Sequence, residues 1–178
     1  MTASILIFAI GNESRGDDAL APLLLRKLDV WLQAEGRAGD FELIEDFQLQ
    51  VENVTDMAGC KMVLFIDAGM DTLAPYTFYR AQVSGSHTLY SHALTPEAVL
   101  AVYPQIYREA PPPAFVLCIR GEQFELGSAL SPAAENRLEV AMDFMQSLLQ
   151  QTEIAAWEMQ AQQSTMGDAG KHEACAIQ

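Results

Sequence analysis

Five short stretches of the chain carry its strand signal: residues 4–10, 41–45, 62–67, 77–83 and 115–120. The runs at 4–10, 62–67 and 115–120 are almost continuously apolar, the pattern of central strands covered on both faces. Between them the spacing becomes helical. Residues 18–32 place Leu20, Leu24, Leu28 and Trp31 along one face, with Pro22 tolerated in the opening turn. A shorter helix is predicted over 51–58. Two further helices start with the same signal, a capping hydroxyl residue followed by proline: Thr95-Pro96-Glu97 and Ser131-Pro132. The last of these carries Leu138, Met142, Met145 and Leu149 at helical spacing.

The order β-α-β-α-β-β-α-β-α predicts a three-layer α/β/α sandwich around a mixed, mostly parallel five-stranded sheet. Residues 68–76 are too few for a helical crossover, so the fourth strand should run antiparallel to the third. The segment 84–94 then has to climb back to the carboxyl edge before the next helix starts, and about a dozen extended residues span roughly 35 Å. That path brings His92 to the edge that carries Asp18 and Asp67. Residues 1–151 read as one domain. From 152 to 178 the chain is polar without a clear period and reads as a disordered tail, in which Ile154, Trp157 and Met159 extend the last helix by a turn or two at most.

A length of 178 residues with 50% apolar content fits a single packed core. The net charge of −14 argues against nucleic acid and anionic membrane surfaces as partners, since both call for basic patches. Three unpatterned cysteines, with Cys60 and Cys118 read as buried thiols, favour a reducing cytoplasm. The N-terminal apolar run has no basic flank and stops at Gly11-Asn12, so neither a secretory signal nor a membrane span is expected there. The final Cys175-Ala176-Ile177-Gln178 fits a prenylation box but lacks a second basic signal and reads as coincidence. A monomer is expected.

The candidate chemistry lies in Gly11-Asn12-Glu13-Ser14-Arg15-Gly16-Asp17-Asp18, which leaves the first strand for the mouth of a helix. Asp18, Asp67 and His92 together make an O,O,N donor set suited to a borderline divalent cation with open positions. Each residue also has a plainer reading. Asp17 or Asp18 can cap the helix, Asp67 can end a strand in a turn, and His92 can serve as a structural hydrogen bonder. The chain has no Gly-x-Ser-x-Gly elbow, no Walker loop and no Gly-x-Gly-x-x-Gly.

The ordered set Ile10-Gly11-Asn12, Gly16-Asp17-Asp18, Phe65-Ile66-Asp67-Ala68 and Ser91-His92-Ala93-Leu94 resembles the [NiFe]-hydrogenase maturation endopeptidases. Cys118-Ile119-Arg120-Gly121 and Leu130-Ser131-Pro132 are similar to theirs as well, so the resemblance covers residues 4–150. It implies a mixed five-stranded sheet between helices and an endopeptidase that removes a short C-terminal extension from the hydrogenase large-subunit precursor. It also implies that Asp18, Asp67 and His92 are the catalytic, metal-contacting residues. The nickel would be carried by the substrate, and no tightly bound cofactor is expected. Two departures stand out. Ala19 follows the acidic pair where the family often has Gly, and Asp46-Phe47-Gln48-Leu49-Gln50-Val51-Glu52 replaces a Gly-rich stretch. The second variant resembles the subgroup serving NAD-coupled or bidirectional hydrogenases. Two rival readings are a non-catalytic sensor of nickel loading and a Mg-dependent receiver-type phospho-switch. The receiver predicts Lys where Arg120-Gly121 stands, and an acidic pair directly after the first strand, where residues 11–16 intervene.

Overall fold

The structure, a computed structural model, describes residues 4–83 and 94–166. Strands β1 (Ile5–Ile10), β2 (Phe41–Asp46), β3 (Met62–Gly69), β4 (Tyr76–Arg80) and β5 (Ala114–Arg120) form one sheet in the order β2-β1-β3-β5-β4. All pairs are parallel except β4 with β5. The fourth strand therefore has the expected direction, and its hydrogen-bonded neighbour is β5. The 70–75 connection hooks over the end of β5, where the Arg120 N–H donates to Pro75 O (3.1 Å) and Arg120 Nη1 donates to Thr72 O (2.9 Å).

Every residue of β1 and β3 is buried, as their unbroken apolar runs require. Alternate residues feed two cores. Ile5, Ile7, Leu64 and Ile66 pack under α1 (Leu20–Ala34), α3 (Pro132–Leu149) and α4 (Ile154–Met166). Leu6, Phe8, Val63 and Phe65 face the opposite layer, which contains α2 (Pro96–Tyr107) and a 3-10 helix over Val51–Met57. Helices on both faces of a mixed sheet make the three-layer α/β/α sandwich. Both proline-led helices start as expected: Thr95 Oγ1 accepts from Ala98 N (3.2 Å) and Ser131 Oγ accepts from Ala134 N (3.1 Å).

Four expectations are corrected. The first helix is preceded by a 3-10 turn over Gly16–Ala19, so the α-helix proper begins at Leu20 and not at Asp18. The short helix expected over 51–58 is 3-10 in form. Its inward residues Val54 and Met57 are three apart, the period of that helix, and Gln50 and Asn53 cap its start reciprocally. The chain does not leave the domain at 152, because α4 packs on the sheet with Trp157 fully buried against Phe78 and Phe115. Residues 167–178, the rest of the expected tail, lie outside the described residues. Finally, Cys118, read from the sequence as a buried thiol, is disulfide-bonded, and among the described residues Cys60 is the free thiol. Among the described residues, no helix is long and apolar enough to cross a membrane.

Candidate active site at the carboxyl edge of the sheet

The loop leaving β1 is shaped by close backbone approach. A Cβ on Gly11 would lie 2.0 Å from the carbonyl oxygen of Asp18, so only glycine lets the loop fold back on the start of the helix. Gly16 takes φ +55°, and a Cβ there would meet Ser128 Oγ at 2.4 Å. The loop is also sewn to the β5–α3 connection: Gly16 N donates to Ser128 O (3.2 Å), Gly127 N to Ser14 O (2.7 Å) and Arg15 Nε to Phe124 O (3.1 Å).

The adjacent aspartates in this loop have different roles. Asp17 is completely buried. Its Oδ2 accepts from Glu122 N (2.7 Å), Gln123 N (3.1 Å) and Ser131 Oγ (2.8 Å), and its Oδ1 accepts from Ser131 N (2.7 Å). Burial alone would raise its pKa. The bonds from Ser131, Glu122 and Gln123 outweigh burial and hold the carboxyl below the ordinary value. Asp17 is thus a structural clamp between the first loop and the start of α3. The sequence left its role beyond capping open, and no local signal could have shown it.

Asp18 is only half-buried and, among the described residues, accepts one hydrogen bond, from Asn12 N to its Oδ2 (2.8 Å). Burial raises its pKa, against the Asn12 bond and the charge of Arg15. Asp67 is 4% exposed near the end of β3, where Ala68 N donates to its Oδ1 (2.8 Å). Burial pushes its pKa up to about 8 despite the Ala68 bond, and the negative charge of Asp18 adds to the rise. Asp18 sits in the 3-10 turn that packs against β3, and Asp67 lies near the end of that strand, so the two share one edge of the sheet.

His92 lies outside the described residues. Helix α2, which follows it, runs toward the start of β5, so its capping residue Thr95 lies toward the carboxyl end of the sheet. Among the described residues no group of three or more His, Cys, Asp or Glu side chains could hold a metal ion. Arg120, at the end of β5 beside Gly69 in register, keeps its Nε buried with no hydrogen-bond partner among the described residues. The sequence reading did not single out that donor.

No family model and no curated protein matches this sequence. Solved structures do match it. The chain is similar to the hydrogenase maturating endopeptidase HybD from E. coli, with a TM-score of 0.65 and 22% identity over 83% of this chain and 92% of that one. It is similar to the [NiFe] hydrogenase maturation protease HycI from Thermococcus kodakarensis, with a TM-score of 0.63 and 21% identity over 84% and 94% of the two chains. An endopeptidase from Escherichia coli matches with a TM-score of 0.61 and 20% identity, covering 88% and 93%. The chain therefore has the α/β fold of hydrogenase maturation proteases, across nearly the whole length of those proteins.

Proposed function

We propose that this chain is an endopeptidase that cuts a short C-terminal extension from the nickel-loaded large-subunit precursor of a [NiFe] hydrogenase. The observation that carries the reading is the meeting of Asp18 and Asp67 at the carboxyl edge of a sheet shared with solved maturation endopeptidases. Asp18 and Asp67 contact nickel already held by the substrate, and His92 joins them on the strength of its sequence context. One carboxylate serves as base toward the attacking water. The metal supplies Lewis-acid polarisation when the loaded substrate docks. This arrangement needs neither a serine nor a cysteine nucleophile, and two carboxylates in a poorly solvated edge favour a cationic visitor. The NAD-coupled or bidirectional class of partner is proposed from residues 46–52 alone. The reaction is proposed to occur in the cytoplasm.

Intact-mass analysis of the precursor, with and without prior nickel loading, tests the reading. Loss of a discrete C-terminal peptide from the loaded sample alone is the expected result, and Asp18→Ala should abolish it. Unchanged mass in both samples at confirmed nickel occupancy would favour the sensor reading over the endopeptidase.

A further inference from the structure

Among the described residues, five of the ten large apolar side chains left in water lie at the edge that carries Asp18 and Asp67. Phe47 (73% exposed) follows β2, and Val51 (44%) opens the 3-10 helix beyond it. Met70 and Leu73 sit in the β3–β4 connection, and Leu126 (79% exposed) sits in the β5–α3 connection. All five leave the carboxyl ends of parallel strands. The other five, Val30, Val83, Ile106, Val140 and Met159, lie elsewhere, Val30 on α1 and Val140 on α3. Phe47 and Leu126 have no internal packing role at such exposure, and apolar side chains grouped around polar chemistry mark a surface that another molecule covers.

Charge on the same loops narrows the choice of that molecule. Glu13, Asp71, Glu122 and Glu125 are exposed there; Glu13 is paired with Arg26 and Glu122 with Arg137, and Asp71 and Glu125 have no ion pair among the described residues. The basic residues on these loops, Arg15 and Arg120, are both partly buried and donate to backbone carbonyls of Phe124 and Thr72, while Arg120 Nε has no partner among the described residues. A second copy would set one acidic edge against another in a chain of net charge −14, and an anionic lipid surface would be repelled as well. A basic and apolar segment is the complement.

On the reading given under Proposed function, we propose that this edge is the docking face for a precursor segment flanking the scissile bond, one that carries large apolar side chains next to Lys or Arg. The apolar groups cover Phe47 and Leu126, and the cations face the acidic loops. Specificity for the precursor then comes from the loops, and the chemistry from the carboxylates.

The test is steady-state cleavage of the nickel-loaded precursor by wild type and by a Phe47→Ser/Leu126→Ser double variant. Both side chains are exposed, so the variant should fold, which its circular dichroism and Tm check. The expected result is a KM raised about tenfold or more with kcat changed less than about twofold. Wild-type KM should also climb as NaCl goes from about 50 to about 300 mM, through screening of the acidic loops. Val30→Ser/Val140→Ser should leave both constants unchanged. An unaltered KM in the loop variant, or a salt-independent wild-type KM, overturns the docking face while leaving the endopeptidase intact. If wild type does not cleave, equilibrium binding of the same precursor decides. Binding lost in the loop variant supports the face without the peptidase, and binding that is equal in both or absent overturns it. Concentration-dependent dimers that vanish in the loop variant would assign the face to a second copy and also overturn the proposal.

Discussion

Asp17 and Asp18 are the same residue type one position apart, and only their surroundings separate their roles. Asp17 gathers four donors from residues 105 and more positions away, all contributed by the β5–α3 connection. Such partners are invisible to any reading of local pattern, which is why the sequence showed an acidic pair without showing which member is structural. Asp17→Ala should leave three backbone N–H groups and the Ser131 hydroxyl without their acceptor, and unfolding in urea should show a loss of about 3 kcal/mol or more. Asp17→Asn supplies one oxygen and should recover part of that loss. Asp67 makes the opposite case. It is a buried carboxyl whose ionisation the fold resists, so Asp67→Asn should melt higher than wild type at pH 8 while cleavage of the nickel-loaded precursor falls at least about a hundredfold. A variant that is both inactive and less stable at that pH would show that Asp67 holds the strand end together instead.

At the scale of elements, the sequence was most legible where burial is complete or a cap is local. The apolar runs of β1, β3 and β5 and the hydroxyl–proline starts of α2 and α3 carry their own physical cause. Helix α4 does not. Its fully buried contacts come from Trp157 and Ala161, with Ile154 and Ala156 partly buried against the same core, and the rest of its described surface is largely polar or exposed. Its inward residues are few and include small alanines, so they register weakly as a period, yet Trp157 fills a pocket edge-on to Phe78 and Phe115 and donates its Nε1–H to Gln151 O (2.7 Å). Trp157→Ala should therefore cost about 3–5 kcal/mol, read by denaturant unfolding, in a segment whose composition reads as dispensable tail. A truncation after residue 151 that melts at the wild-type temperature would show that α4 lies on the sheet without supporting it.

The response of the whole molecule to pH combines the two buried carboxyls with a large negative charge. Asp17, with its pKa lowered, contributes stability that is present above the ordinary aspartate range and is lost as pH falls through its native value. Asp67 works in the other direction. Its native pKa of about 8 exceeds the ordinary 3.8, so the folded chain holds a proton that the unfolded chain releases across that window. Its contribution is intact below about pH 4 and declines until the pH has passed about 8. Mutual repulsion within a chain of net charge −14 also grows with pH, so a falling Tm in wild type alone would not identify the cause. The difference between wild type and Asp67→Asn removes most of that shared background. The Tm advantage of the variant should be smallest near pH 5, widen up to about pH 8 and then level off in scanning calorimetry. A gap that stays constant over this range would mean that Asp67 is already ionised in the folded protein at pH 5.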